Sequence, residues 1–167
     1  MAAVYDALAE LLRAIGTDQL TARRQALTDA LNTAYDELLR ARSTATGLNP
    51  HLARLLGVLN ASHPATEAAI TLGLAGTRPP PLVIETVSRL ADAIRNESSS
   101  PMIPPPWDES PAILALRDAL AAAARALSRD WQGDQGVWGA GSLSQGGPGD
   151  GSPREEGRGD LGVVPPG

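Results

Sequence analysis

Chemistry needs reactive side chains brought close together, and the 167 residues offer few candidates. His51 and His63 are the only histidines, and twelve residues separate them. Neither has a Cys or an acidic cluster nearby. A metal site needs three or four ligands at short spacing, so both read as solvated or capping residues at helix starts. Asp36-Glu37 and Asp108-Glu109 are adjacent carboxylates. Neighbouring helical residues point in different directions, so neither pair converges on one substrate atom as acid/base partners must. Arg154-Glu155-Glu156 falls in a segment that reads as disordered.

No cysteine occurs, which excludes thiolate nucleophiles, disulfides and thiolate metal sites. Serine is frequent, but no G-x-S-x-G elbow is present. Gly139-Ala140-Gly141 and Gly146-Gly147 lack the preceding strand and following helix that make a phosphate cradle. Arg158-Gly159-Asp160 spells an adhesion tripeptide, for which a chance match in a glycine-rich run is the default. The reading is therefore a non-enzymatic chain: no catalytic residue, no cofactor-binding residue, no metal site and no cofactor.

Composition says what elements could carry such a chain. Hydrophobic residues make up 43%, aromatic residues 3%, and Phe is absent. A core of Leu, Ala, Val and Ile suits helices more than strands. All 14 basic residues are Arg, a sign of GC-rich coding, and the formal net charge is −5. Arg23-Arg24 is the only adjacent basic pair, so nucleic acid is not expected as a partner. No apolar run reaches the ~20 residues of a membrane-spanning helix. Asp6 and Glu10 stand where a secretory signal would be positive, so a soluble, cytoplasmic chain is expected.

Periodicity predicts five to six amphipathic helices in an antiparallel bundle. The first covers about 2–15, with Val4, Leu8, Leu11, Leu12 and Ile15 on one stripe and Gly16 as its stop. Thr17 or Asp18 caps a second helix that runs to about Arg42, with Leu20, Leu27, Leu31, Tyr35, Leu38 and Leu39 on one face. Asn49-Pro50 reads as a cap followed by proline at the first helical position, opening a third helix with Leu52, Leu55, Leu56 and Leu59. Ser62-His63-Pro64 predicts a break, and Ala65, Ala68, Ala69 and Leu72 belong to a fourth helix. After the stiff Pro79–Pro81 connector, Leu82, Val83, Val87, Leu90, Ala91 and Ile94 face inward on a fifth. Residues 96–110 form a Ser/Pro-rich linker with Trp107 as its one large anchor. Pro111 then opens a last helix with Ile113, Leu116, Leu120, Ala124 and Leu127, ending near Trp131.

The proline runs, Pro79 to Pro81 and Pro104 to Pro106, read as stiff spacers ahead of polyproline ligands. The polar helix faces carry mixed charge without Lys, so the helices pack on each other ahead of lying on a membrane. Twelve of the 17 glycines follow Trp131. Such a stretch cannot bury enough apolar surface to offset its ordering entropy, giving a helical domain over 1–131 and a disordered tail over 132–167.

AAVYDALAELLRAIGT, RRQALTDALNTAYDELLRARS, LLGVLNASHPATEAA and RPPPLVIETVSRLADAIR, in that order, give the segment a family likeness. With the Leu59-Asn60-Ala61 turn and the proline run before the next helix, it resembles the cytoplasmic helical region of fusaric-acid-resistance-type (FUSC) proteins, the aromatic acid exporter-like family. The resemblance spans about 130 residues and carries no catalytic signature. Such proteins place a soluble helical region between two sets of membrane helices and export aromatic or amphipathic acids. It implies a module at the cytoplasmic face of the plasma membrane, partnered by a membrane-spanning exporter domain or by self-association. The chain itself has no membrane span. It departs from the family pattern after Trp131, which makes it a truncated or frame-shifted module, not competent for transport alone. The alternative is a free-standing helical protein-interaction or regulatory module. If the tail lies outside the fold, a chain ending at Gln132 keeps its helicity and its Tm within about 2 °C, read by circular dichroism; a larger loss would place the tail in the core.

Overall fold

The computed structural model describes residues 1–44, 49–98 and 110–128, all inside the compact unit Met1–Gly136. Among the described residues there are five helices and no strand: α1 Ala2–Arg13, α2 Leu20–Thr44, α3 Pro50–Leu74, α4 Pro81–Arg95 and α5 Pro111–Ser128. Most of the 96–110 linker, Trp107, the end of the last helix at Trp131 and the whole 132–167 segment lie outside the described residues.

α1 is short but apolar on more than one side. Val4, Tyr5, Leu8, Ala9, Leu11 and Leu12 are all buried, and so are Ala14 and Ile15 just beyond its end. Two adjoining stripes let it touch α2, α3 and α4 at once. The Tyr5 hydroxyl donates to the Val58 carbonyl of α3 at 2.9 Å, which satisfies the one polar atom of a fully buried ring. The helix ends at Arg13, short of the expected Ile15, and Gly16 in the turn that follows has φ 81°, a left-handed value that glycine adopts without strain. The Arg78 guanidinium crosses from the α3–α4 connector and donates to the Ile15 carbonyl from Nε at 3.4 Å and Nη2 at 3.2 Å. It thereby takes up a carbonyl that the helix end leaves free.

The turn into α2 is held by Thr17, whose hydroxyl donates to the Ala14 carbonyl at 2.8 Å and accepts from the Gln19 N–H at 3.3 Å. α2 then buries little for its length. Leu27 and Ala34 are buried, while Leu20, Leu31, Tyr35 and Leu38 pack only partly against the core. Leu39, expected on the same inward face, is 63% exposed. It sits one residue past Leu38, about 100° further round the helix, and the covered stripe is narrower than that.

α3 corrects the expected break at Ser62-His63-Pro64. One helix runs straight through, so the third and fourth predicted helices are a single element. Proline inside a helix costs about 3 kcal/mol by removing a donor and crowding the carbonyl four residues earlier. Here that carbonyl belongs to Asn60, and Asn60, His63 and Pro64 are all exposed, so water can serve it. Ser62, at the start of the expected break, is instead fully buried and donates to the Leu59 carbonyl of its own helix at 2.6 Å. Val58, Leu59 and Ala61 before the proline, and Ala65, Ala68, Ala69 and Leu72 after it, are buried in the same core. Burial on both sides outweighs the local cost. The other end follows expectation: the Asn49 side chain accepts from the His51 and Leu52 N–H groups at 3.0 and 3.4 Å, with Pro50 in the first turn.

α3 and α5 share the most extensive interface in the fold, followed by α1 and α4. Ile113, Leu116, Leu120 and Leu127 are buried on α5 as expected. The face is completed by Ala119, Ala123 and Ala126, with the expected Ala124 only half-buried. α4 buries Val83, Val87, Leu90, Ala91 and Ile94, but Leu82, in its first turn, is 41% exposed. The Arg95 guanidinium joins α4 to α1 through Asp6 at 2.5 Å, on the surface.

Gly57 lies where α3 meets α5 most closely. A Cβ built there would stand 2.9 Å from the Cβ of Ala126, nearer than two carbons tolerate. At Gly73, in the same helix, a Cβ would meet only Leu20 side-chain atoms at 3.6 Å, an ordinary contact. Gly→Ala favours a helix by up to about 1 kcal/mol, whereas overpacking costs about 1–3 kcal/mol. Gly57→Ala is therefore expected to destabilise by about 1–2 kcal/mol and Gly73→Ala to be neutral or stabilising, both read by urea unfolding.

Burial also raises the Tyr5 phenol pKa above its ordinary value of 10.0. The folded state thus holds the proton more tightly than the unfolded state. That contribution is complete below pH 10 and is lost as pH climbs through the folded value. Tyr5→Phe is expected to lose about 0.5–1.5 kcal/mol at neutral pH with the hydrogen bond, and to show a shallower fall in Tm from pH 9 to 11 than the parent. Parallel thermal curves in that range would place the phenol in solvent.

Candidate interaction surface

The residues whose types suggested chemistry are not brought together. His51 contributes its backbone N–H to the Asn49 cap and its side chain is exposed. His63 lies about midway along α3, on its exposed side, with its ring 6.2 Å from that of Tyr35 on α2, tilted by 56°. That places it inside a helix, where a helix start was expected. Asp36 and Glu37 are both exposed, and Glu37 faces the Met1 amino group at 4.0 Å, away from any convergence with Asp36. Among the described residues no group of three His, Cys, Asp or Glu could hold a metal ion. Asp108-Glu109, Pro104–Pro106, the glycine clusters at 139–141 and 146–147, Arg154-Glu155-Glu156 and Arg158-Gly159-Asp160 lie outside the described residues. Of the first proline run, Pro79 is buried and Pro81 opens α4.

Three recesses lie among the described residues. The one at the α1–α2 turn, about 280 Å³, is lined by Glu10, Arg13, Thr17, Asp18, Gln19 and Arg23 among others. Glu10 is held there by Arg13 at 2.6 Å and faces Arg23 at 3.9 Å. Both are exposed ion pairs and contribute little to stability. A second recess, about 70 Å³, lies among Leu11, Arg24, Leu27, Thr28, Thr66 and Ile70. The Thr66 hydroxyl is buried there without a hydrogen-bond partner among the described residues. The volume suits one or two water molecules.

The third recess, about 160 Å³, is of a different kind. Met1, Ala34, Leu38 and Ala41 line it together with Leu55 of α3, and its charges are the Glu37 carboxylate and the Met1 amino group that faces it. It lies between the second half of α2 and the first half of α3, where α2 runs with few covered residues. Leu39 and Leu56 are the chain neighbours of Leu38 and Leu55, and they are 63% and 43% exposed. Both had been expected inward. Each helix thus turns one leucine into the recess and the next one to solvent. Sequence periodicity marked these leucines as apolar positions but carried no sign of how many helices would cover them.

No described helix is long and apolar enough to cross a membrane. No family model matches the chain, and neither a curated protein nor a solved structure does.

Proposed function

We propose that the chain is a non-enzymatic helical association module, of the kind its resemblance to FUSC-type exporters implies, working by packing helix against helix at the cytoplasmic face of a membrane. What supports the association part is the recess between α2 and α3 lined by Ala34, Leu38, Ala41 and Leu55, on helices that each also leave a leucine, Leu39 and Leu56, exposed. An antiparallel bundle fits this reading. Most of α3 follows Gly57 and most of α5 precedes Ala126, so a long interface through that contact needs opposite directions. In this reading the module does not transport alone.

The exporter part rests on the resemblance, and the DNA on either side of the reading frame tests it. Coding sequence for several membrane-spanning helices is expected within the neighbouring region, in any frame. Its absence on both sides would overturn the exporter assignment and leave a free-standing interaction module.

A further inference from the structure

A threonine inside a helix can satisfy its own hydroxyl by turning it back to the carbonyl four residues earlier. Thr28, Thr33, Thr71 and Thr86 all do so, donating to the carbonyls of Arg24, Asp29, Glu67 and Leu82. Thr66 on α3 does not. Its hydroxyl oxygen is buried and has no hydrogen-bond partner among the described residues. A buried hydroxyl left unmet is costly, so a group that forgoes the local bond needs a partner elsewhere. Thr66 lines the recess of about 70 Å³ where α1, α2 and α3 meet. Arg24 and Thr28, one turn apart on α2, line it from the other side, and Leu11, Leu27 and Ile70 supply its apolar walls.

We propose that this recess is an ordered-water site, in which water bonded to the Thr66 hydroxyl bridges α3 to α2. A retained water needs two to four polar partners, and the lining supplies them. Thr66 offers a donor. The Thr28 hydroxyl already donates to Arg24, so it offers lone pairs to which a water can donate. The Arg24 guanidinium adds further donors. One water that accepts from Thr66 and donates to Thr28 thus joins the two helices. At about 30 Å³ for each molecule, two fill the space. An apolar guest would leave the Thr66 hydroxyl unmet, and a cation would face Arg24. The bridge gives α2 a polar tie in its first half, where Leu27 is the buried side chain. That half is the one away from Leu38, so the site does not rest on the association reading.

The test uses the full-length chain and nuclear Overhauser effects between water and methyl groups. Leu11, Leu27 and Ile70 are the probes, because their side chains carry no exchangeable proton. The parent is expected to show effects of the sign that marks a long-lived bound water. Thr66→Val exchanges the hydroxyl for a methyl group of similar shape. It is expected to abolish those effects and to lower the urea midpoint, because the bridge goes with the water. Thr66→Ser keeps the hydroxyl and is expected to keep the effects. In a Thr28→Val background, Thr66→Val should lower the midpoint by less, since one water carries both contacts. Circular dichroism checks that each variant keeps its helicity, and the parent measurement stands without any variant. Parent methyls that see no bound water, effects that persist in Thr66→Val, or a loss unchanged by Thr28→Val would each overturn the bridge. So would a raised urea midpoint in Thr66→Val, which would mark the hydroxyl as an unmet group that the fold tolerates.

Discussion

Everything in this fold depends on burying α1. Twelve residues make a helix too short to persist alone in water, since nucleation is costly and each added bond returns little. It is held because α2, α3 and α4 close on it from separate sides. Tyr5 shows how completely. A phenol with no exposed surface needs a partner for its hydroxyl, and only the Val58 carbonyl serves. α5 stands apart from this arrangement, packed on α3 with a minor contact to α4. The α1–α3 and α2–α3 contacts therefore tie the α3–α5 pair to the rest.

With no Phe to fill space, close approach does the work of bulk. α3 contributes Ala61, Ala65, Ala68 and Ala69 to the core and α5 contributes Ala119, Ala123 and Ala126, and the two helices pack extensively on each other. Small side chains let backbones approach until dispersion contacts are dense. Gly57 is the limiting case, since even a methyl group would collide with Ala126. Such a seam resists volume changes in either direction. A larger residue has no room, and a smaller one leaves a gap that stiff helices do not close. The buried hydroxyls of Ser62 and Thr86 fit because each donates to its own helix, at Leu59 and Leu82.

Much of this was legible in the sequence. Val4, Leu8, Leu11, Leu12 and Ile15, the α4 stripe from Val83 to Ile94, and Ile113, Leu116, Leu120 and Leu127 are buried as their spacing predicts. Those helices have a partner along their whole length, so apolar and covered coincide. Tyr5 did not stand out because its spacing to Ala9 and Leu12 defines a second stripe, overlapping the first. Pro64 misled for a different reason. The local rule treats proline as a stop, but it prices only the missing donor. It does not weigh the alanines and leucines on both sides, nor the fact that the orphaned Asn60 carbonyl faces solvent. Leu39, Leu56 and Leu82 failed through geometry: period 3.6 says which residues share a face, and says nothing about the width of the neighbour.

That last failure bears most directly on function. A helix whose apolar face is wider than its neighbour covers is either inefficient or unfinished. Leu82 is a single residue in the first turn of a helix that is otherwise covered, and isolated exposure of that sort is ordinary. Leu39 and Leu56 lie on the two helices that form the recess, each one position beyond a leucine that lines it. α2 adds to the contrast, since among its described side chains only Leu27 and Ala34 are buried although it equals α3 in length. An unsupported helix of that length spends conformational order without matching burial, and stability then depends on what it meets outside the bundle. The candidate surface is thus identified by the same bookkeeping of burial that explains the fold.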